Sequence, residues 1–167
     1  MTLSQAHIDS LTNTTIILLE MDRKVLNFLS GQRVCSLTTL LKDGSPHAAA
    51  LHFSHKDKPL EIYVQTENTS RKCQALLTGK SVKGSFVVGF SEKEFKTLQM
   101  DGSVKAVKDK EELLKIHRIH YKKHPGAKKW KDDPATLFLV FKPAWWRYTE
   151  YKPKFFVLSS EKNGSKK

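Results

Sequence analysis

The Asp43-Gly44 pair, which separates two runs of strand-forming residues, is the feature that most constrains how this chain folds. Residues 33–42 before it are rich in Val, Leu and Thr, and residues 45–54 after it return as a second extended run. An Asp-Gly pair favours the tight turn that joins neighbouring antiparallel strands. Pro46 stands near the start of the second run, where a proline is tolerated. The two runs are therefore predicted to form a β-hairpin.

Apolar patterns along the rest of the chain predict a mainly β fold of the α+β class. Gly84 and Gly89 indicate bends in a further strand, and such curvature favours a barrel over a flat sheet. Because the strands mostly follow one another through hairpins, the expected architecture is an antiparallel β-barrel with peripheral helices. The predicted strands span residues 33–42, 45–54, 60–65, 81–90, 96–107, 135–148 and 154–158, and the predicted helices span 16–30, 70–78 and 108–123.

The length and composition of the chain indicate a single globular domain. Its 167 residues suffice for one core, and 39% of them are hydrophobic. We expect one domain over residues 1–158, in which residues 1–15 form an arm or short helix, and a disordered basic tail over 159–167. No apolar run approaches the roughly 20 residues that span a bilayer, and the first residues lack a signal-peptide pattern. Cys35 and Cys73 are too few for a disulfide framework, so we expect a cytoplasmic protein without membrane contact.

The strongly basic composition leaves several kinds of partner open. A formal net charge of +12 suits nucleic acid, acidic membrane surfaces or phosphorylated small molecules. The lysines of residues 105–131 lie near Trp130 but form no recognised nucleic-acid motif, so a solvated basic face is favoured over nucleic-acid binding. His117, His120 and His124 have helical spacing, yet no cysteine or carboxylate completes a ligand set, and we predict no metal site.

Two basic residues stand at the expected start of the helix over residues 70–78. Arg71 and Lys72 follow Ser70, and cations in a first turn oppose the helix dipole. The helix over residues 108–123 has the usual arrangement, in which acidic residues begin the helix and basic residues end it. A bound anion such as a phosphate would reverse the effect on Arg71 and Lys72. The competing interpretation is a pair of solvated side chains on a surface helix.

Small side chains occupy the middle of the second predicted strand. Ala48, Ala49 and Ala50 lie between His47 and His52. They leave room for a flat ligand, although the narrow interior of a barrel would also require small residues. The two histidines are an odd number of residues apart and therefore face opposite sides of a regular strand.

Four segments, in this order, resemble the flavin-binding split-barrel family typified by pyridoxamine 5'-phosphate oxidase: RVCSLTTLLKDGSPHAAALHF, EIYVQTENTSRKCQAL, LQMDGSVKAVKD and FKPAWWRY. The resemblance covers residues 25–148. It implies a six-stranded split β-barrel, a homodimer, and FMN in each of the clefts at the dimer interface.

The resemblance also implies which residues bind the cofactor. Ser70, Arg71 and Lys72 would hold the FMN phosphate, while Gln65 and Thr66 match the family's pair at the strand end beside the cofactor. The alanine-rich strand would lie along the ribityl chain and the isoalloxazine ring. Its matching residues include His47, Ala48, Ala49, Leu51 and His52.

Other positions separate this chain from the oxidases of vitamin B6. Those enzymes carry an arginine and a lysine where this chain has His47 and His52, and an arginine-x-histidine pair where residues 147–149 read Arg-Tyr-Thr. The chain is thus more similar to a general stress protein-like member of the family. Trp146 or its neighbour is expected to approach the partner's flavin, with an ordinary core tryptophan as the alternative.

The function expected from these residues is that of a homodimeric FMN-binding oxidoreductase. It would pass electrons between a small-molecule donor and an acceptor, and no catalytic side chain is predicted because the flavin carries the chemistry. The alternatives are a stress-related flavin carrier without turnover, binding of haem or a deazaflavin, and nucleic-acid binding through the lysines.

Overall fold

The computed structural model describes residues 21–161 of the chain. The predicted arm at residues 1–15 and the part of the predicted tail beyond residue 161 lie outside that range. The strands are β1 (Val34–Leu40), β2 (Pro46–Asp57), β3 (Leu60–Glu67), β4 (Val82–Val88), β5 (Lys96–Ala106), β6 (Thr136–Glu150) and β7 (Phe156–Ser159). The α-helices are α1 (Arg23–Gly31) and α2 (Lys110–Lys123), and short 3-10 helices span Arg71–Cys73, Leu76–Thr78 and Pro125–Trp130.

The strands form one antiparallel sheet that closes on itself. Their order is β3-β2-β1-β4-β5-β6-β7, and an additional pairing of β3 with β6 joins six of them into a barrel. Strand β7 pairs only with β6 and stays outside the barrel. The predicted six-stranded barrel with peripheral helices is confirmed.

Turn chemistry fixes the first hairpin as predicted. Gly44 adopts a positive φ of 82°, and the Leu41 amide donates to the Ser45 carbonyl at 2.9 Å. The next hairpin is tighter than expected, because β2 continues to Asp57 and pairs directly with Leu60 at the start of β3. Residues 55–59 separate the two predicted strands 45–54 and 60–65, but most of this segment is paired strand, since polar side chains are favourable on the outer face of a ladder.

A bulge bends β5 near its middle. The pairing register of β5 with β6 shifts between Asp101 and Gly102. A Cβ atom on Gly102 would lie 2.1 Å from the carbonyl oxygen of Lys142, so only glycine allows this approach of the two backbones. The bend helps a sheet of this size to close.

Aromatic rings fill the interior of the barrel. Phe53 and Phe86 meet edge to face with ring centroids 5.0 Å apart, and Phe86 stacks on Phe141 at 5.8 Å. Val25 and Leu29 of α1 belong to the same buried cluster, so this helix covers part of the barrel. Each fully buried side chain of this kind stabilises the fold by about 1.5–3 kcal/mol.

The two α-helices begin at capping aspartates. Asp109 accepts a hydrogen bond from the Glu112 amide at 2.8 Å and starts α2 as predicted. Asp22 accepts from the Lys24 amide at 2.7 Å, so α1 begins at Arg23, and residues 16–20 of the predicted helix lie outside the described range. Within the described range, no helix is long and apolar enough to cross a membrane.

The predicted helix over residues 70–78 is wrong. The chain instead makes two short 3-10 helices, in which the Cys73 amide donates to Ser70 and the Gly79 amide donates to Leu76. Cys73 at the end of the first and Leu76 at the start of the second are both fully buried, so both short helices pack against the core. Such short turns have no appreciable dipole, so the helix-dipole argument for an anion site does not hold.

Candidate functional site

An open cleft of about 810 Å³ lies against the outer face of the barrel. The middle of β2, the end of β3 and the turn at Ser70 form one side of it. The other side, which we call the histidine wall, consists of His120 and His124 of α2 together with the 3-10 helix Pro125–Trp130. The volume falls within the range of about 300–1,000 Å³ that is usual for ligand sites.

The register of β2 decides which of its residues reach this cleft. Thr39 pairs with His47, while Val34 pairs with His52, and directly paired residues share one face of a sheet. Thr39 is fully buried, whereas Val34 is exposed, so His47 and His52 lie on opposite faces as predicted. Leu51 and His52 line the cleft together with Ala50. The other predicted residues of this strand, His47, Ala48 and Ala49, do not line it.

The end of β3 brings three predicted residues into the cleft. Gln65, Thr66 and Ser70 all line it, and the hydroxyl oxygens of Thr66 and Ser70 are 3.5 Å apart. The Gln65 amide nitrogen lies 3.5 Å from the Ala127 carbonyl oxygen. Its Oε1 atom is buried and has no donor within residues 21–161. An unpaired buried acceptor costs about 1–3 kcal/mol, so this atom is suited to a ligand that brings an N–H group.

The predicted cations Arg71 and Lys72 lie just beyond Ser70. Arg71 lines a neighbouring hollow of about 450 Å³ together with Lys42 and Asp43. A hydrogen bond from the Ser45 hydroxyl lowers the pKa of Asp43, and the nearby Arg71 charge adds to this effect. Lys72 is only 8% exposed. In the part of the chain that the structure describes, neither cation forms an ion pair with a carboxylate.

Trp146, the remaining predicted site residue, is buried in the barrel core. It is 4% exposed and belongs to the main hydrophobic cluster. Its backbone amide donates to the Ser160 hydroxyl at 3.1 Å. Its approach to a partner's flavin stays a prediction.

The histidine wall was missed as a binding surface because its residues were weighed only as metal ligands. The His120 and His124 ring centroids are 5.0 Å apart, and His52 of β2 lies 5.1 Å from His124. No group of three or more histidine, cysteine or acidic side chains is placed to hold a metal ion within residues 21–161. The signal in the sequence was the four-residue spacing of His120 and His124, which places both on one helix face.

His124 is held as a neutral imidazole by partners on both nitrogens. Nε2 lies 2.8 Å from the Phe53 carbonyl oxygen, which can only accept, so Nε2 carries the proton. Nδ1 then accepts from the Arg33 guanidinium at 3.2 Å. Burial lowers the pKa of His124, and the charge of Arg33 lowers it further.

His120 lies deeper and is also neutral. Only 1% of it is exposed, and its Nδ1 is 3.0 Å from the hydroxyl oxygen of Ser54. Burial, followed by the neighbouring His124, lowers the pKa of His120 to about 3. The histidine wall therefore presents uncharged hydrogen-bonding rings to the cleft.

Comparison with known protein families agrees with this fold. The sequence profile of the pyridoxamine 5'-phosphate oxidase family matches residues 21–150. The chain belongs to the pyridoxamine 5'-phosphate oxidase family. A search of curated protein sequences found no match.

Solved structures show the same fold at low sequence identity. A conserved hypothetical protein from Mycobacterium tuberculosis superposes with a TM-score of 0.64 at 19% identity, over 79% of this chain and 86% of that one. A protein from Clostridium acetobutylicum related to general stress protein 26 of B. subtilis superposes with a TM-score of 0.62 at 16% identity, over 81% of this chain and 91% of that one. A haem-binding protein from Mycobacterium smegmatis gives 0.62 at 13% identity, over 88% of this chain but only 58% of that one.

Residues 148 and 149, which distinguish this chain from the vitamin B6 oxidases that it resembles, lie inside the fold. Tyr148 stands between Arg147 and Thr149, where the arginine-x-histidine motif would fall. The Tyr148 ring is 1% exposed, and its hydroxyl donates to Glu150. Thr149 is buried as well.

Proposed function

We propose that this protein binds FMN in the cleft and passes electrons between a small-molecule donor and an acceptor. The observation that carries the proposal is the continuity of the cleft with a pair of unpaired cations. The chain runs from Gln65 and Thr66 in the cleft, through Ser70, directly to Arg71 and Lys72. A ligand with a flat polar ring at one end and a phosphate at the other matches this order of groups.

The ring end of the cleft suits an isoalloxazine. Ala50 adds little bulk to the floor, and the orphaned Oε1 of Gln65 would accept a hydrogen bond from a ring N–H group. The Thr66 and Ser70 hydroxyls lie between this atom and the cations, where a ribityl chain needs polar partners. FMN, when bound, supplies the electron-carrying chemistry. The chain's own residues bind and orient it.

The phosphate end rests on side chains, since the helix-dipole argument does not hold. Lys72 is 8% exposed and has no carboxylate partner within residues 21–161, so a bound phosphate would give its ammonium a charge-assisted contact. Arg71 is exposed beside it and can add bidentate hydrogen bonds to the same phosphate. Together they would contribute about 1.5–3 kcal/mol for each charge-assisted hydrogen bond.

The test is FMN binding by a double variant, Arg71→Ala with Lys72→Ala, followed by quenching of flavin fluorescence. Affinity is expected to fall at least about 100-fold, since two charge-assisted contacts are lost. The matched control removes two exposed lysines of β4 and β5, Lys83→Ala with Lys105→Ala, and should bind FMN like the wild type. Equal affinity of both double variants would show that the phosphate is not bound at Arg71 and Lys72.

We further propose that two copies of the chain complete each flavin site. The cleft is open on its outer side, and Trp130 at its rim is 52% exposed. Ala48 and Ala50 leave an exposed, nearly flat strand surface beside it, on which a second copy can pack. Light scattering of the FMN-loaded protein should give the mass of a dimer, and a monomeric mass with flavin bound would contradict the proposal.

Haem is the second candidate ligand. A structural relative is a haem-binding protein, and His52 is an exposed imidazole in the cleft without a hydrogen-bond partner among residues 21–161. The visible spectrum of the purified protein distinguishes the two candidate ligands, since flavin and haem absorb at different wavelengths. A haem spectrum that persists while FMN fails to bind would replace the flavin proposal.

The state of the two cysteines supports our proposal of a cytoplasmic protein. Cys35 and Cys73 are both free and fully buried. Burial raises the pKa of both thiols, which keeps them protonated and unreactive.

A further inference from the structure

The charge of the cleft differs in sign from that of the protein. The chain carries +12, but the charged residues that line the cleft are one arginine and two carboxylates, Arg33, Glu67 and Asp133. The Arg33 guanidinium is already engaged by the Lys123 carbonyl at 3.2 Å and by His124 at 3.2 Å. An anionic molecule in the cleft would therefore meet two carboxylates and no free cation among the residues that line it.

The Ser54 hydroxyl determines which nitrogen of His120 carries its proton. Ser54 is 1% exposed, and Nδ1 of His120 is the one acceptor within residues 21–161 that its hydroxyl reaches. If the hydroxyl donates to Nδ1, its proton is satisfied and the proton of the neutral ring lies on Nε2. The opposite arrangement would leave a buried hydroxyl proton without an acceptor, which is the costlier state. His120 lines the cleft, so its Nε2–H is the donor that remains for a ligand.

Flat apolar surfaces surround this donor. Leu51, Pro125 and Ala127 line the cleft, and the Trp130 ring stands at its rim with 52% of its surface exposed. An aromatic ring stacks favourably on such a surface in an offset or edge-to-face arrangement. The site thus combines planar apolar contact with a neutral hydrogen-bond donor.

We infer that the histidine wall binds a small molecule that exchanges electrons with the flavin. This reactant is an uncharged planar carbonyl compound of the quinone class, and its oxygen accepts a hydrogen bond from Nε2 of His120. The inference rests on the proposed function, in which the flavin occupies the side of the cleft at Gln65 and Thr66. It goes further because it excludes phosphorylated and other anionic reactants from the histidine wall. Ser54 is a positioning residue, which acts by holding the His120 tautomer.

The experiment compares two probes that share one ring system: a neutral hydroxymethyl-anthraquinone and an anthraquinone sulfonate substituted at the same carbon. Their binding to the full chain is measured by equilibrium dialysis, with and without FMN. The neutral probe should bind about tenfold more tightly than the sulfonate in both states, since the sulfonate meets Glu67 and Asp133. Sulfonate binding that equals or exceeds that of the neutral probe would overturn the inference.

Three variants connect this preference to named atoms. His120→Phe removes the donor and should weaken binding of the neutral probe up to about tenfold, while binding of the sulfonate stays unchanged. Ser54→Ala, a smaller change, should weaken the same probe and shift the ¹⁵N resonances of His120 towards a mixture of tautomers. The control is His117→Gln, one turn earlier on α2 and outside the cleft lining, which should bind both probes like the wild type. Unchanged probe binding in His120→Phe and Ser54→Ala would overturn the inference.

These measurements separate the inference from the proposed function. If FMN binds but the neutral probe has no advantage, the inference fails and the flavin proposal stands. If FMN does not bind and the neutral probe keeps its advantage, the flavin proposal fails and the assignment of the histidine wall stands.

Discussion

Lys24 of α1 lies 2.8 Å from the carboxylate of Glu150 at the end of β6, and this ion pair connects the first helix to the barrel. The Tyr148 hydroxyl donates to the same carboxylate, and Lys96 lies 3.4 Å from it. The hydrogen bond from Lys24, followed by that from Tyr148, lowers the pKa of Glu150 from 4.5 to about 2. A carboxyl whose pKa falls on folding stabilises the folded state above its unfolded pKa. That contribution is lost as the pH falls from about 4.5 through 2.

The first prediction concerns the pH dependence of this contact. Glu150→Gln should lower the free energy of unfolding by about 1–3 kcal/mol near neutral pH, with screening by solvent favouring the lower value. The difference from the wild type should shrink as the pH is lowered through the range below 4.5, where the wild-type carboxyl also becomes protonated. Urea unfolding at several pH values measures this difference in the free energy of unfolding. Glu92 is exposed, and Glu92→Gln serves as the control. A difference that stays constant down to low pH would contradict this origin.

His120 makes the opposite kind of contribution to stability. Its folded pKa is about 3, lowered first by burial and then by His124, His52 and Lys123, against 6.5 for a free histidine. As the pH falls below 6.5, the unfolded chain takes up a proton here that the folded chain does not, so stability decreases. The free energy of unfolding of His120→Phe should therefore fall less steeply than that of the wild type between neutral pH and pH 4. The two slopes should differ by up to about 1.4 kcal/mol per pH unit. Parallel stability curves for the variant and the wild type would argue against a neutral His120.

The bulge in β5 predicts a contrast between two glycines. Gly102→Ala would place a Cβ atom 2.1 Å from the Lys142 carbonyl oxygen, and the paired backbone cannot move aside. We expect a loss of about 1–3 kcal/mol in the free energy of unfolding, or more if the barrel opens. Gly126→Ala is the matched control, since nothing lies within 4 Å of its added atom, and it should change stability by less than about 0.5 kcal/mol. Similar losses in both variants would refute the close approach at Gly102.

The unequal burial of the two cations predicts unequal roles in binding FMN. Lys72 is 8% exposed, whereas Arg71 is exposed to solvent, so salt should screen Arg71 more strongly. Lys72→Ala is expected to reduce FMN affinity at both low and high salt, and Arg71→Ala mainly at low salt. Fluorescence titrations at two ionic strengths measure this difference. The same salt response in both single variants would show that the two side chains contact the phosphate from equivalent positions.

The comparison of sequence with structure shows that local signals were reliable and non-local pairing was not. Asp43-Gly44 and the cap at Asp109 depend on a few neighbouring residues, and both were found. The extension of β2 to Asp57 depends on its pairing with Leu60, which no pattern within β2 reveals. The two 3-10 helices follow from the burial of Cys73 against the barrel, whereas helical periodicity alone suggested one continuous helix.

The cleft was predicted in part for a similar reason. Gln65 and Thr66 lie at the end of a strand, so their place beside a cofactor could be read from the order of the motif. His120 of the histidine wall contacts Ser54, which is 66 residues away in the chain. That contact exists only because α2 packs across β2, so the sequence indicated a histidine-rich helix but not the surface that the helix faces.

Closure of the barrel by β3 and β6 also affects how the chain reaches its folded state. This seam pairs Ile62 with Phe141 and Glu67 with Thr136, whereas the hairpins β1–β2 and β4–β5 join segments close in sequence. Contacts between distant segments form late, because a long loop must be ordered first. Gln65 and Thr66 both belong to the seam. A ligand held by these residues therefore recognises only chains in which the barrel has closed, and its binding free energy adds to the stability of that state alone.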